Sequence, residues 1–183
     1  HILEKAGCEI IRLAVTDKKA ALSISDIKKE ISIPLIADIH FNHELALMSI
    51  EQGVDGLRIN PGNIGDKKKI SAVVKKAKKQ DIPIRIGVNS GSIEKDLLKK
   101  YGKPTAEGMV ESALKHVKIL EELDFKDIII SMKSTDVLMT LKAHQLLSQE
   151  VDYPFHIGIT EAGSGKEGII KYLGLTNFDT KHL

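Results

Sequence analysis

The sequence predicts an α/β fold of the (β/α)8, TIM-type barrel class, with about six of the eight βα units present and the first and eighth strands absent. Three observations carry that prediction. Short apolar, β-branched runs alternate with longer segments of helical period. Polar residues gather at the C-terminal ends of those runs, where parallel barrels keep their chemistry. The fingerprint Gly-x-Gly-x-x-Gly does not follow the first run, which disfavours a doubly wound dinucleotide-binding sheet.

Taken in order, strands are predicted at about 10–15, 34–40, 56–61, 83–89, 127–133 and 155–161, and helices at about 17–31, 43–52, 67–80, 106–123 and 135–149. Pro34, Pro83 and Pro154 stand just before three strands, where a missing N–H is tolerated. Asp17, Asn42, Asp66 and Thr135 are the candidate N-caps of the helices that follow them. Runs apolar on both faces and separated by helices imply parallel strands with right-handed crossovers. No linker, low-complexity stretch or heptad repeat divides the 183 residues, so one partial barrel domain over 1–183 is predicted.

Composition excludes several function classes. Hydrophobic residues at 42% and charged residues at 28% fit a packed globular chain rather than a disordered one. No apolar run approaches the ~18 residues of a membrane span. With 27 basic and 25 acidic residues, no bulk field points to nucleic acid or membrane. The single cysteine, Cys8, rules out an internal disulfide and any site built from several thiolates of these residues, which suits a reducing compartment. The chain begins with His, which suggests a fragment.

Arginine usage is the sharper clue. Of 27 basic residues 24 are Lys and three are Arg, in a chain that also carries 25 isoleucines. Where a solvated charge suffices, this chain uses Lys. Arg12, Arg58 and Arg85 all lie inside apolar strand segments and are candidates for bidentate recognition of phosphate or carboxylate. The strand ends read Arg12 with Thr16, Asp38 with His40, Arg58 with Asn60, Arg85 with Asn89, Ser131 with Lys133, and Glu161. Even spacing within each pair puts both side chains on one face of a straight strand. In a barrel those ends converge at one mouth.

Individual motifs have competing explanations. Asn60-Pro-Gly-Asn-Ile-Gly65, followed by a helix after Asp66, could turn backbone amides and a helix dipole toward an anion, though a plain strand-to-helix turn looks similar. His40 and His43 have i, i+3 spacing, but one ends a strand and the other starts a helix, so no metal site is predicted. Lys133 can form a Schiff base or stay protonated and bind phosphate. Glu161 reads as the one carboxylate facing a basic mouth, a proton carrier or a structural partner for arginine. The lysines of 67–79 overlie Ile70, Val73, Val74 and Ala77 at helical spacing, the solvated face of an outer helix.

Four longer motifs closely resemble one family. Ala37-Asp-Ile-His-Phe41, Leu57-Arg-Ile-Asn-Pro-Gly-Asn-Ile-Gly65, Ile84-Arg-Ile-Gly-Val-Asn-Ser-Gly91 and Gly158-Ile-Thr-Glu-Ala-Gly163 are similar, in order and spacing, to the 4-hydroxy-3-methylbut-2-en-1-yl diphosphate synthases. The resemblance runs to about Lys171, and the tail departs after Leu175.

It implies an oxidoreductase of the methylerythritol phosphate route to isoprenoids, whose barrel is joined to a C-terminal domain holding a four-iron four-sulfur cluster on three cysteines and a glutamate. The substrate would be 2-C-methyl-D-erythritol 2,4-cyclodiphosphate, with electrons from ferredoxin or flavodoxin, in a homodimer of the bacterial cytoplasm or a plastid-type organelle. By matching motifs, Arg12, Arg58, Arg85 and Lys133 would hold the diphosphate. Asn60 and Asn89 would orient the substrate, Asp38 and His40 would lie close by, and Glu161 would sit near the departing hydroxyl. The cluster domain is not among these residues, so no cluster ligand and no reductive activity are expected of this chain alone. The rivals are a Schiff-base aldolase using Lys133 on a phosphorylated substrate and a non-catalytic phosphate-binding barrel.

Overall fold

A computed structural model describes residues 1–158, 163 and 165–176. After a short helix α1 (Ile2–Lys5), the chain runs β1 (Ile11–Ala14), α2 (Lys18–Leu22), α3 (Ile24–Glu30), β2 (Leu35–Asp38), α4 (His43–Glu51) and β3 (Gly56–Ile59). It continues through α5 (Lys67–Lys79), β4 (Ile84–Asn89), α6 (Lys95–Tyr101), α7 (Ala106–Glu121), β5 (Ile128–Lys133), α8 (Val137–Leu147) and α9 (Lys166–Thr176). The strands follow one another in the sheet in chain order, β1-β2-β3-β4-β5, and the β1–β2 and β2–β3 pairs are parallel. These are five of the eight strands of a complete barrel. The sixth predicted strand is reduced to a parallel bridge of Phe155 with Ile130, and residues 159–162 lie outside the described residues.

Contacts divide the chain into two compact units, His1–Arg85 with Ile119–Ile128, and Ile86–Lys118 with Ile129–Leu183. In the first, Leu35, Ile39, Leu57, Ile59 and Ile84 are fully buried beside Ile24, Ile50 and Leu120 from the helices. In the second, Ile86, Ile130 and Met132 are buried, as are Leu97, Met109 and Leu147. The prolines do more than open strands. The carbonyls of Pro34, Pro83 and Pro154 accept the amides of Ile11, Leu57 and Ile130, so each starts the ladder to the preceding strand while lacking a donor of its own.

Capping follows local chemistry. Asp17 and Asn42 accept from the amides of Ala20 and Glu44, as the sequence predicts. The last cap is shifted: Asp136, not Thr135, accepts from Met139, a carboxylate being the stronger acceptor for helix amides. The helix predicted over 17–31 is interrupted at Ser23, whose hydroxyl donates to the Lys19 carbonyl and bends the chain there. Asp66 carries the heaviest duty, accepting from both Lys68 and Lys69 at the start of α5. The first turn of α5 is Lys67-Lys68-Lys69, which opposes the helix dipole. Asp66→Ala is therefore expected to destabilise by about 1 kcal/mol in urea unfolding; an unchanged midpoint would show that the cap is redundant.

His144 offers a pH readout. It is buried, its Nδ1 lies 2.8 Å from the Thr140 carbonyl, its ring meets Phe155 edge-on, and its Nε2 has no partner among the described residues. Burial pushes its pKa down, with the Thr140 contact opposing. A folded-state pKa below the unfolded value of about 6.5 means the unfolded chain takes up the proton first. Stability should hold above that pH and decline as pH falls toward the folded value. His144→Phe should flatten the pH 7 to 5 difference in unfolding free energy; equal slopes in both proteins would contradict the assignment.

Candidate functional site

The first unit assembles a charged cluster from three adjacent strands. In the parallel register, Asp38 of β2 is the direct partner of Arg58 on β3, and Ala14 of β1 lies across from Asp38 on its other side. Asp38 and Arg58 thus form a cross-strand pair on one face, and Arg12, two residues before Ala14, reaches Asp38 along the diagonal. Arg58 Nη1 lies 3.1 Å from Asp38 Oδ1, and Arg12 Nη1 lies 2.9 Å from Asp38 Oδ2. His40 Nε2 is 3.4 Å from Oδ1. The side chain of Asp38 is 7% exposed and that of Arg58 12%, whereas Arg12 at 48% keeps one flank in water.

Arg85, on β4, completes the set differently. It makes no ion pair among the described residues. Its guanidinium is held below its ordinary pKa first by burial, then by the charges of Arg12 and Arg58, with Asp38 opposing. Three guanidiniums against one carboxylate leave a surplus of two positive charges. Such a half-buried surplus is an unfavourable arrangement that an anion relieves.

The reading of Glu161 as the one carboxylate in a basic mouth is corrected here, because Asp38 already sits among the arginines. Glu161 itself lies outside the described residues. Asn60 is half-buried and follows β3 directly, its carbonyl accepting the Asn63 amide across the 3-10 turn Pro61–Asn63. The carboxylate of Asp66 occupies the amides of Lys68 and Lys69, so those donors of α5 are already taken. Gly65 has φ +138°, and the Lys69 stem lies over it where a β-carbon would stand.

In the second unit, Asn89 and Lys133 are half-buried at the C-terminal ends of β4 and β5. Those two ends are tied by the Ser90 hydroxyl donating to Ser134 at 3.1 Å, and Ser134 in turn accepts the Asp136 amide. Ser131 is buried, with Oγ 3.3 Å from His156 Nδ1. Residue-type reasoning passed over Ser90, Ser134 and His156. The signal for His156 was present, since it stands two residues before Gly158 and so shares its face.

The described residues offer no centre for a metal or cluster. No three His, Cys, Asp or Glu among them converge, and Cys8, the sole cysteine of the sequence, spends its Sγ on the Ile10 carbonyl at 3.1 Å. A four-iron cluster does not fit this donor set. A cleft in the first unit lined by Lys78, Asp81, Ile82, Asp124 and Asp127 lies before β4 and β5 begin and contains none of the predicted site residues. No helix among the described residues is long and apolar enough to cross a membrane.

Comparison with known proteins gives the family context. Residues 1–177 match the family model described as the GcpE TIM-barrel domain. The chain is 60% identical over 171 residues to the 4-hydroxy-3-methylbut-2-en-1-yl diphosphate synthase (flavodoxin) of Geobacillus thermodenitrificans, covering 93% of this chain and 46% of the relative. It is 60% identical over 169 residues to the protein of that name in Exiguobacterium sibiricum, with 92% and 46% covered. The chain thus spans a little under half the length of these relatives. Among solved structures, a dihydropteroate synthase of Xanthomonas albilineans aligns with a TM-score of 0.62 at 9% identity, covering 96% of this chain and 70% of that one. The HMG-CoA lyase of Brucella melitensis aligns at 0.59 and 12%, covering 94% and 67%. The deoxyribose phosphate aldolase of Aeropyrum pernix aligns at 0.54 and 13%, covering 91% and 82%. At such identities these likenesses carry the barrel fold and nothing of the chemistry.

Proposed function

Because the chain belongs to the GcpE TIM-barrel domain family, we propose that it is the substrate-binding barrel portion of a 4-hydroxy-3-methylbut-2-en-1-yl diphosphate synthase, acting on 2-C-methyl-D-erythritol 2,4-cyclodiphosphate. The observation that carries the reading is the arginine surplus around Asp38. The cyclic diphosphate bears one ionised oxygen on each phosphorus, so its two negative charges complement the two excess positive ones. Arg85 and Arg58 bind phosphate oxygens through their planar forks, and Arg12 shares its charge between Asp38 and the ligand. Asp38 keeps the guanidiniums aligned on their strands when no ligand is bound, which is pre-organisation. Asn60 and His40 orient the substrate from the ends of β3 and β2, and Asn89 and Lys133 are proposed as substrate contacts on the motif resemblance alone.

The overall conversion consumes two electrons and two protons, opens the ring and releases one water. Glu161 is assigned as the donor of a proton to the departing hydroxyl. The cluster chemistry belongs to residues other than those of this chain. A reduced flavodoxin, the protein that appears in the relatives' names, or a ferredoxin supplies the electrons in a homodimer of the bacterial cytoplasm. Calorimetric titration tests the reading, comparing the cyclic diphosphate with inorganic phosphate. The cyclic diphosphate should bind far more tightly; equal affinity for the two, or no binding of either, would refute it.

A further inference from the structure

We infer that Gly158 is a positioning residue for Lys133, its missing side chain being the space in which the end of the lysine lies; the inference rests on the reading of Lys133 as an anion-binding lysine. Ile130 of β5 pairs in parallel with Phe155, and the His156 amide donates to the Ile130 carbonyl at 2.8 Å. Counting on from that pair places Ser131 across from His156 and Lys133 across from Gly158, all four on one face by strand alternation. The side chains obey that register. Ser131 Oγ is 3.3 Å from His156 Nδ1. A β-carbon built on Gly158 would stand 3.2 Å from Lys133 Cε and 3.4 Å from Nζ, with His156 Cε1 next at 3.9 Å.

Those three atoms are the nearest neighbours of the position among the described residues, and none of them is backbone. Gly158 is also not among the glycines with positive φ. Its own conformation therefore does not demand glycine. What an alanine methyl would disturb is the end of Lys133, at a separation tighter than ordinary contact. Lysine carries its charge on a flexible four-carbon stem, and a stem already laid across a gap loses less freedom when its ammonium meets an anion. His156, fixed by Ser131, forms the wall beside the gap.

A double-mutant cycle decides the matter, with affinity for the cyclic diphosphate measured by calorimetry on the full-length protein. Gly158→Ala should weaken binding about three- to tenfold in the wild type, change nothing in a Lys133→Ala background, and leave the melting temperature unaltered. In the absence of ligand, the Lys133 Cε resonance of carbon-13-labelled protein should shift in Gly158→Ala. Unchanged affinity and an unmoved resonance would overturn the inference, and so would an equal loss in both backgrounds, which would mean that Gly158 acts without the lysine. If Lys133→Ala alone leaves affinity intact, the anion-binding reading of Lys133 falls and takes this inference with it. Should Gly158→Ala fail to fold, the neighbours given for the position are wrong and the inference is refuted.

Discussion

Arg85→Lys weakens binding of the cyclic diphosphate by about ten- to hundredfold although the charge is conserved. The expectation follows from where Arg85 stands. Arg58 and Arg12 already share the Asp38 carboxylate, whereas Arg85 has no ion pair among the described residues and is opposed by its burial and by both other guanidiniums. On the proposed reading, an incoming phosphate is the partner that Arg85 takes. Lysine offers a point charge in place of a planar fork, so it forfeits at least one charge-assisted hydrogen bond, worth roughly 1.5–3 kcal/mol. Arg58→Lys should lose a comparable amount and also loosen the pair with Asp38. Lys75→Arg, on the exposed face of α5, is the control and should leave affinity unchanged. Calorimetry on the three variants reads the difference; wild-type affinity in both strand variants would make these arginines structural.

Asp38→Asn is the second large effect, and it separates stability from anion affinity. The side chain is nearly buried and bonded to two guanidiniums, so neutralising it leaves Arg12 and Arg58 without their shared partner. Loss of one member of a fully buried pair costs ~3–5 kcal/mol; with Arg12 half exposed, about 2 kcal/mol is expected here. The same change raises the local positive charge, so inorganic phosphate or pyrophosphate should restore more of the melting temperature in Asp38→Asn than it adds to the wild type. Thermal unfolding with and without pyrophosphate measures both. A variant as stable as wild type, or one that pyrophosphate fails to rescue, would show that Asp38 does not organise the arginines.

Much of this was legible along the chain, for definite physical reasons. Strands buried on both faces announce themselves as apolar runs, and prolines mark where β2 and β4 begin, so β1 to β5 fall inside their predicted ranges. The scarcity of arginine in a lysine-rich chain singled out Arg12, Arg58 and Arg85, and the structure brings their charges to bear on one another in the first unit. Periodicity also placed the lysines of α5 over a buried face of Ile70, Val73, Val74 and Ala77.

What the residue pattern hid was pairwise register. That Asp38 faces Arg58 directly and Arg12 diagonally depends on how three strands align, and nothing in any single segment states it. The same holds for His156, whose partner Ser131 lies 25 residues away. Asp66, by contrast, was legible as the cap it is, its carboxylate taking the amides of Lys68 and Lys69. The short helix α6 escaped because its seven residues, closed by Gly102 at φ +74°, hold too few turns for a periodic signal.

A crystal structure of the protein with 2-C-methyl-D-erythritol 2,4-cyclodiphosphate bound is the most direct test of the central claim. The account predicts diphosphate oxygens within about 3 Å of the guanidinium nitrogens of Arg85 and Arg58, with Asp38 still joined to Arg12. A diphosphate seated away from these strand ends, with Arg85 still unpaired, would contradict it.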